Sequence, residues 1–73
     1  MKIEIKLNND KAIVKESDNL VDALKEFDAK EIKSVVYTEG DITTFVKPVK
    51  EFRGYTLKIT GKYNNRTGEF ENV

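Results

Sequence analysis

The residues able to do chemistry in this chain are carboxylates, lysines, tyrosines and hydroxyls, because it contains neither histidine nor cysteine. That removes the commonest general base, the commonest metal ligand and the most nucleophilic side chain. Two carboxylate pairs remain, Glu39 with Asp41 and Glu69 with Glu71. Glycoside hydrolysis needs two acids a fixed distance apart. Each pair, however, brackets a single residue at a turn or chain end, where acids are normally solvated. Asn8-Asn9-Asp10 carries oxygens for a hard cation, but three adjacent residues fall short of the six to eight that calcium takes. The four glycines are isolated, so no phosphate-cradling loop or dinucleotide fingerprint is present. The expectation is a protein that is not an enzyme, with no metal, no cofactor and no small-molecule substrate.

Charge gives the binding alternatives. Thirteen basic and thirteen acidic residues cancel overall, yet the signs are segregated. Residues 16 to 31 carry six acids against Lys25 and Lys30, a net of −4. Residues 47 to 66 carry six bases against Glu51, a net of +5. Such a molecule is a dipole. Asp18, Asp22 and Glu26 recur at helical spacing and form a candidate protein-docking face. Like charges four residues apart are mildly unfavourable in a helix, unless the N-terminal dipole and Lys25 offset them. The basic region offers the alternative, a surface for single-stranded nucleic acid built from Lys58, Lys62, Tyr63 and Arg66, since such surfaces combine cations with aromatic rings on which bases stack. The competing reading is an ordinary wet strand face, because Thr and Lys are what any solvent-facing strand carries.

The elements that must position these residues follow from periodicity. Lys2-Ile3-Glu4-Ile5-Lys6-Leu7 alternates strictly and predicts a half-buried strand. Asn8-Asn9-Asp10 supplies a turn, and residues 11–15 return as the second strand of a hairpin. Ser17, Asp18 and Asn19 are candidate N-caps. Leu20, Val21, Leu24 and Phe27 then fall on one helical stripe. A β-branched run over 32–38 pairs with 42–46 across the turn Glu39-Gly40-Asp41. Pro48 is expected to break that ladder. A longer strand runs from about Phe52 to Tyr63, bulged at Gly54, with Tyr55, Leu57 and Ile59 on the helix side and Thr56, Lys58, Thr60 and Lys62 on the other. After the polar turn 64–68, residues 69–73 are long enough for a short edge strand.

The expected fold is a single α+β domain over residues 1–73. It has two layers: a mainly antiparallel sheet of four to five strands in β-β-α-β-β-β order, with one helix on one face. The opening hairpin followed at once by a capped helix resembles the start of a β-grasp, or ubiquitin-like, domain over about the first 30 residues. Sulfur carriers and modifiers of that family end in Gly-Gly. This sequence ends Glu71-Asn72-Val73, so their conjugation chemistry is not implied.

Seventy-three residues lie near the lower size at which a chain buries a sufficient core alone. Small secreted domains normally need disulfides, and neither a signal peptide nor a membrane-spanning run is evident. A cytoplasmic protein with no membrane partner is therefore expected. Its Lys, Asn and Glu bias matches the coding habit of AT-rich bacteria and phages. The functional expectation is an accessory or inhibitory module binding another protein, or itself in a sheet-edge homodimer.

Overall fold

The computed structural model describes residues 1–73. Six strands form one sheet: β1 (Lys2–Leu7), β2 (Ala12–Glu16), β3 (Ile32–Glu39), β4 (Ile42–Glu51), β5 (Gly54–Asn64) and β6 (Glu69–Asn72). Their spatial order is β2-β1-β3-β4-β5-β6, and every pairing is antiparallel. Between β2 and β3 lie the helix α1 (Leu20–Leu24) and a 3₁₀ turn over Ala29–Glu31. The α+β expectation holds at that level, but the sheet is larger than four to five strands. The β-grasp likeness stops at the opening hairpin and the helix, because the rest of the chain is an antiparallel meander. No helix is long and apolar enough to cross a membrane.

The core lies between α1 and the sheet face it covers. Ile3, Ile5 and Val35 are fully buried there, joined by Ala23, Leu24, Ile32 and Val46. Ile32 and Val35 are three apart, which in a regular strand would point them to opposite faces. A register shift between Lys6 and Leu7 of β1 leaves Lys33 without an opposite number, since Lys6 faces Ser34 and Leu7 faces Ile32. That bulge turns both apolar side chains inward. It also sends Lys33 out to Asp10, whose carboxylate lies 3.4 Å from Nζ. Asp10 itself takes the left-handed conformation (φ 66°) that closes the β1–β2 turn.

The helix is shorter than its apolar spacing predicts. Asn19 caps it, its side-chain oxygen accepting from the N–H of Val21 (2.9 Å) and of Asp22 (3.4 Å). Leu20 and Phe27 pack against the core, and Ala23 and Leu24 enter it. Val21 is 74% exposed, a correction to the four-residue stripe. Phe27 lies beyond the helix end; the chain turns after Leu24, and the Phe27 N–H donates to the Leu24 carbonyl. Five residues cannot sustain a helix by propensity, so the cap and the burial of Ala23 and Leu24 hold it.

Pro48 does not end β4. The strand continues to Glu51, paired with β5 from Pro48↔Leu57 to Glu51↔Gly54. Only the pairing with β3 stops, at Val35↔Val46. Having no N–H, Pro48 can sit in a strand with an open edge.

Candidate functional site

The basic region is divided by a second bulge. Phe45 faces Gly61 and Val46 faces Ile59, so Thr60 is the unmatched residue of β5. Its carbonyl accepts from the Val73 N–H (3.3 Å), and its hydroxyl donates to the Phe45 carbonyl (3.4 Å). Directly opposed residues share a face. Lys58 opposes Lys47, on the face that α1 leaves bare. Lys62 opposes Thr44, whose neighbour in register is Tyr37 on the core face. Lys58 and Lys62 therefore lie on opposite faces of the sheet, and the single Thr/Lys face expected from alternation is two half-faces.

The other members are dispersed as well. Tyr63 is half-buried on the bare face, opposite Thr43 on one side and Phe70 on the other. Arg66 is exposed in the β5–β6 turn, where the Asn64 side-chain oxygen accepts from its N–H (2.9 Å). Along β5 it lies on the order of 20 Å from Lys58, at about 3.3 Å per residue. Lys58 is already paired with Glu51 at 3.1 Å. Tyr37 is half-buried and packs against the core.

The acidic face is dispersed too. Only Asp22 belongs to α1. Asp18 precedes the cap and lies 3.9 Å from the N-terminal ammonium, which also holds Glu16 at 3.1 Å. Glu26 follows the helix and forms an ion pair with Lys15, whose ammonium sits 5.2 Å from the Phe27 ring centroid. Of the carboxylate pairs, Glu39 and Asp41 are exposed at a turn, and Glu69 and Glu71 are exposed on the edge strand β6. No three acidic side chains cluster closely enough to hold a metal ion.

What the structure does bring together is the outer half of the β4–β5 hairpin. Residues 47–51 and 54–58 pair only with one another, since the pairing of β4 with β3 stops at Val46 and β6 reaches only Gly61. Leu57 anchors the base of this two-stranded ribbon by packing against the core. Beyond it every residue from Val49 to Thr56 is exposed. Phe52, at the tip, is 99% exposed, Tyr55 46% and Val49 37%. Lys50 opposes Tyr55 on one face, Lys47 opposes Lys58 on the other, and Arg53 follows Phe52 in the turn. Residues 47–58 carry four bases and one acid, Glu51, a net of +3.

Phe52, Lys50, Arg53 and Tyr55 belong to the basic stretch interleaved with aromatic residues, but not to the four residues expected to form its surface. The local signal was Phe52-Arg53-Gly54, a large apolar residue at a turn position where small polar residues dominate. Alternation assigned Tyr55 to the helix side correctly, but α1 does not reach that far along the ribbon. In comparisons with known proteins, no family model, no curated protein and no solved structure matches the chain significantly.

Proposed function

We propose that this chain is a small non-enzymatic binding module, an accessory or inhibitory factor of bacterial or phage type, that engages another macromolecule through the β4–β5 ribbon. One observation carries the reading: the ribbon leaves the sheet with Phe52 wholly in water at its tip, Tyr55 exposed on one face and Val49 on the other. Burying those rings would add stability to a core of only seven buried apolar residues. Scattered exposed apolar residues are ordinary, whereas a group of them on a projecting element is characteristic of contact surfaces. The absence of histidine and cysteine and the solvated carboxylates favour binding over catalysis.

A protein partner adding a strand is a second reading, favoured by the backbone edge of residues 47–51, which no third strand covers. The test of the general reading is capture from bacterial lysate by the tagged chain and by a Phe52→Ser, Tyr55→Ser variant, with and without nuclease. The wild type should retain material that the variant does not. Equal capture by both would remove the ribbon from consideration.

A further inference from the structure

We infer that the macromolecule engaged by the ribbon is single-stranded nucleic acid, with Phe52 and Tyr55 as stacking platforms and Lys50 and Arg53, beside those rings, as phosphate contacts. This rests on the ribbon being the binding element and adds the class of its partner.

The first support is charge. The chain as a whole is neutral, while residues 47–58 carry +3, so the remainder carries −3. The ribbon is therefore the positive end of the molecule, which turns that end toward a polyanion on approach. Its one acid, Glu51, is neutralised by Lys58 at 3.1 Å. Lys47, Lys50 and Arg53 have no acidic partner within ion-pair distance and are exposed. Elsewhere Lys2, Lys15, Lys30 and Lys33 each hold a carboxylate, while Lys6, Lys11, Lys25, Lys62 and Arg66 are unpaired but lie scattered over the fold.

The second support is the interleaving of rings with cations. Arg53 is adjacent to Phe52, and Lys50 faces Tyr55 directly across the ribbon. A base stacked on either ring would have its phosphate within reach of a cation. This is the combination on which sequence-tolerant single-strand binders rely. Bases of a duplex are stacked on one another and present no free face to a ring, so an exposed Phe at the tip favours an unpaired strand. A strand-adding peptide would take its affinity from the backbone edge of residues 47–51, with no need for a cation beside each ring.

The third support is that the ribbon tip, beyond Leu57, stands clear of the core. Phe52 is 99% exposed, so replacing it changes the surface and not the stability. The test exploits this. Fluorescence anisotropy would follow a labelled oligothymidylate of about a dozen nucleotides and a duplex of the same length, from low to physiological salt. Two phosphate contacts give a log–log salt slope of about −1.4 on a single strand, at roughly 0.7 per contact. Phe52→Ala should weaken binding at least about fivefold, the lower end for a lost stacking partner, with no change in melting temperature. Lys50→Ala with Arg53→Ala should bring the slope to about zero.

Binding of the duplex as tight as that of the single strand, or an affinity indifferent to Phe52→Ala, would overturn the assignment. If the wild type ignores both oligonucleotides while ribbon variants still lose nuclease-resistant capture from lysate, the ribbon stands as a docking element and its partner is a protein. If capture is also unaffected, the ribbon reading falls with the nucleic-acid one.

Discussion

The ring of Phe70, on β6, lies over Gly61, its diagonal neighbour on β5. A Cβ built on Gly61 would come within 2.6 Å of the Phe70 Cζ. The same ring meets Phe45 with centroids 6.0 Å apart at 56°. The absent side chain at Gly61 thus lets an edge-strand ring reach a residue two strands in, and β6, exposed along its whole length, is held by that contact. Gly61→Ala should swing the ring away. The aromatic pair is worth about 1 kcal/mol, so amide protection across residues 69–72 should drop by that order while β1 stays unchanged. Hydrogen exchange with unaltered β6 protection would show that the ring is incidental.

Much of this fold is legible from alternation and turn chemistry, and the failures have one physical source. A side-chain period of two holds only while no residue is inserted. Thr60 and Lys33 are each unmatched in their strands, and nothing in a Thr or a Lys announces a bulge. Gly61 does carry a signal, since glycine inside a strand marks a bulge or a close approach, and here it sits beside both. Sequence reasoning assigned the bulge to Gly54, which instead takes φ 134° at the end of the hairpin turn. The helix was over-read for another reason: apolar spacing continues through Phe27, which also packs on the core after the helix has ended. The projection of the ribbon was not legible because strand length cannot tell which neighbours stop early.

The small core makes each member costly to lose. Ile3 has no exposed surface and is flanked by Lys15 and Tyr37 in register. Truncation of such a residue to Ala costs about 2–5 kcal/mol. A domain of this size is stable by roughly 4–11 kcal/mol, at about 0.05–0.15 kcal/mol per residue. Ile3→Ala should therefore consume at least about a fifth of the total, with a denaturant midpoint well below wild type. A midpoint within error of wild type would mean that the hairpin contributes little to the core.

Asp22 and Glu26, which spacing groups on one acidic face, have separate physical roles, and substitution should separate them. Asp22→Asn loses only a favourable charge in the first turn, about 0.3–1 kcal/mol. Glu26→Lys confronts Lys15, replacing an ion pair with a repulsion and drawing Lys15 off the Phe27 ring. The second substitution should lower the melting temperature more than the first, and added salt should narrow the difference. Equal effects would mean that the Lys15–Glu26 pair contributes nothing in solution.

Asn19 tests the hydrogen-bonding cap itself. Its side chain satisfies two of the amides at the start of α1, and the Ser17 hydroxyl braces the loop, accepting from the Asn19 N–H at 3.1 Å. Asn19→Ala should cost about 1 kcal/mol, and Asn19→Asp should cost almost nothing. Because a five-residue helix depends on its cap, the loss should show in circular dichroism as well as in the melt. A neutral Asn19→Ala would mean that burial of Ala23 and Leu24 alone orders the segment.

The division of the basic residues by Thr60 gives the most direct contrast. Lys62 lies on the core face, opposite Thr44 and Glu71, so Lys62→Glu would oppose two carboxylates across β5 and β6. Like charges directly across a strand pair are destabilising, by a few tenths of a kcal/mol, so β6 should loosen. Its distance from the ribbon tip means that oligonucleotide affinity should be unaffected. Lys50→Glu does the reverse. It removes one phosphate contact and introduces a repulsion beside Tyr55, so affinity should fall at least tenfold at low salt with the melting temperature unmoved. A single continuous basic face along β5 would instead make both substitutions weaken binding alike. Anisotropy titrations and melting curves on these two variants decide between the two geometries.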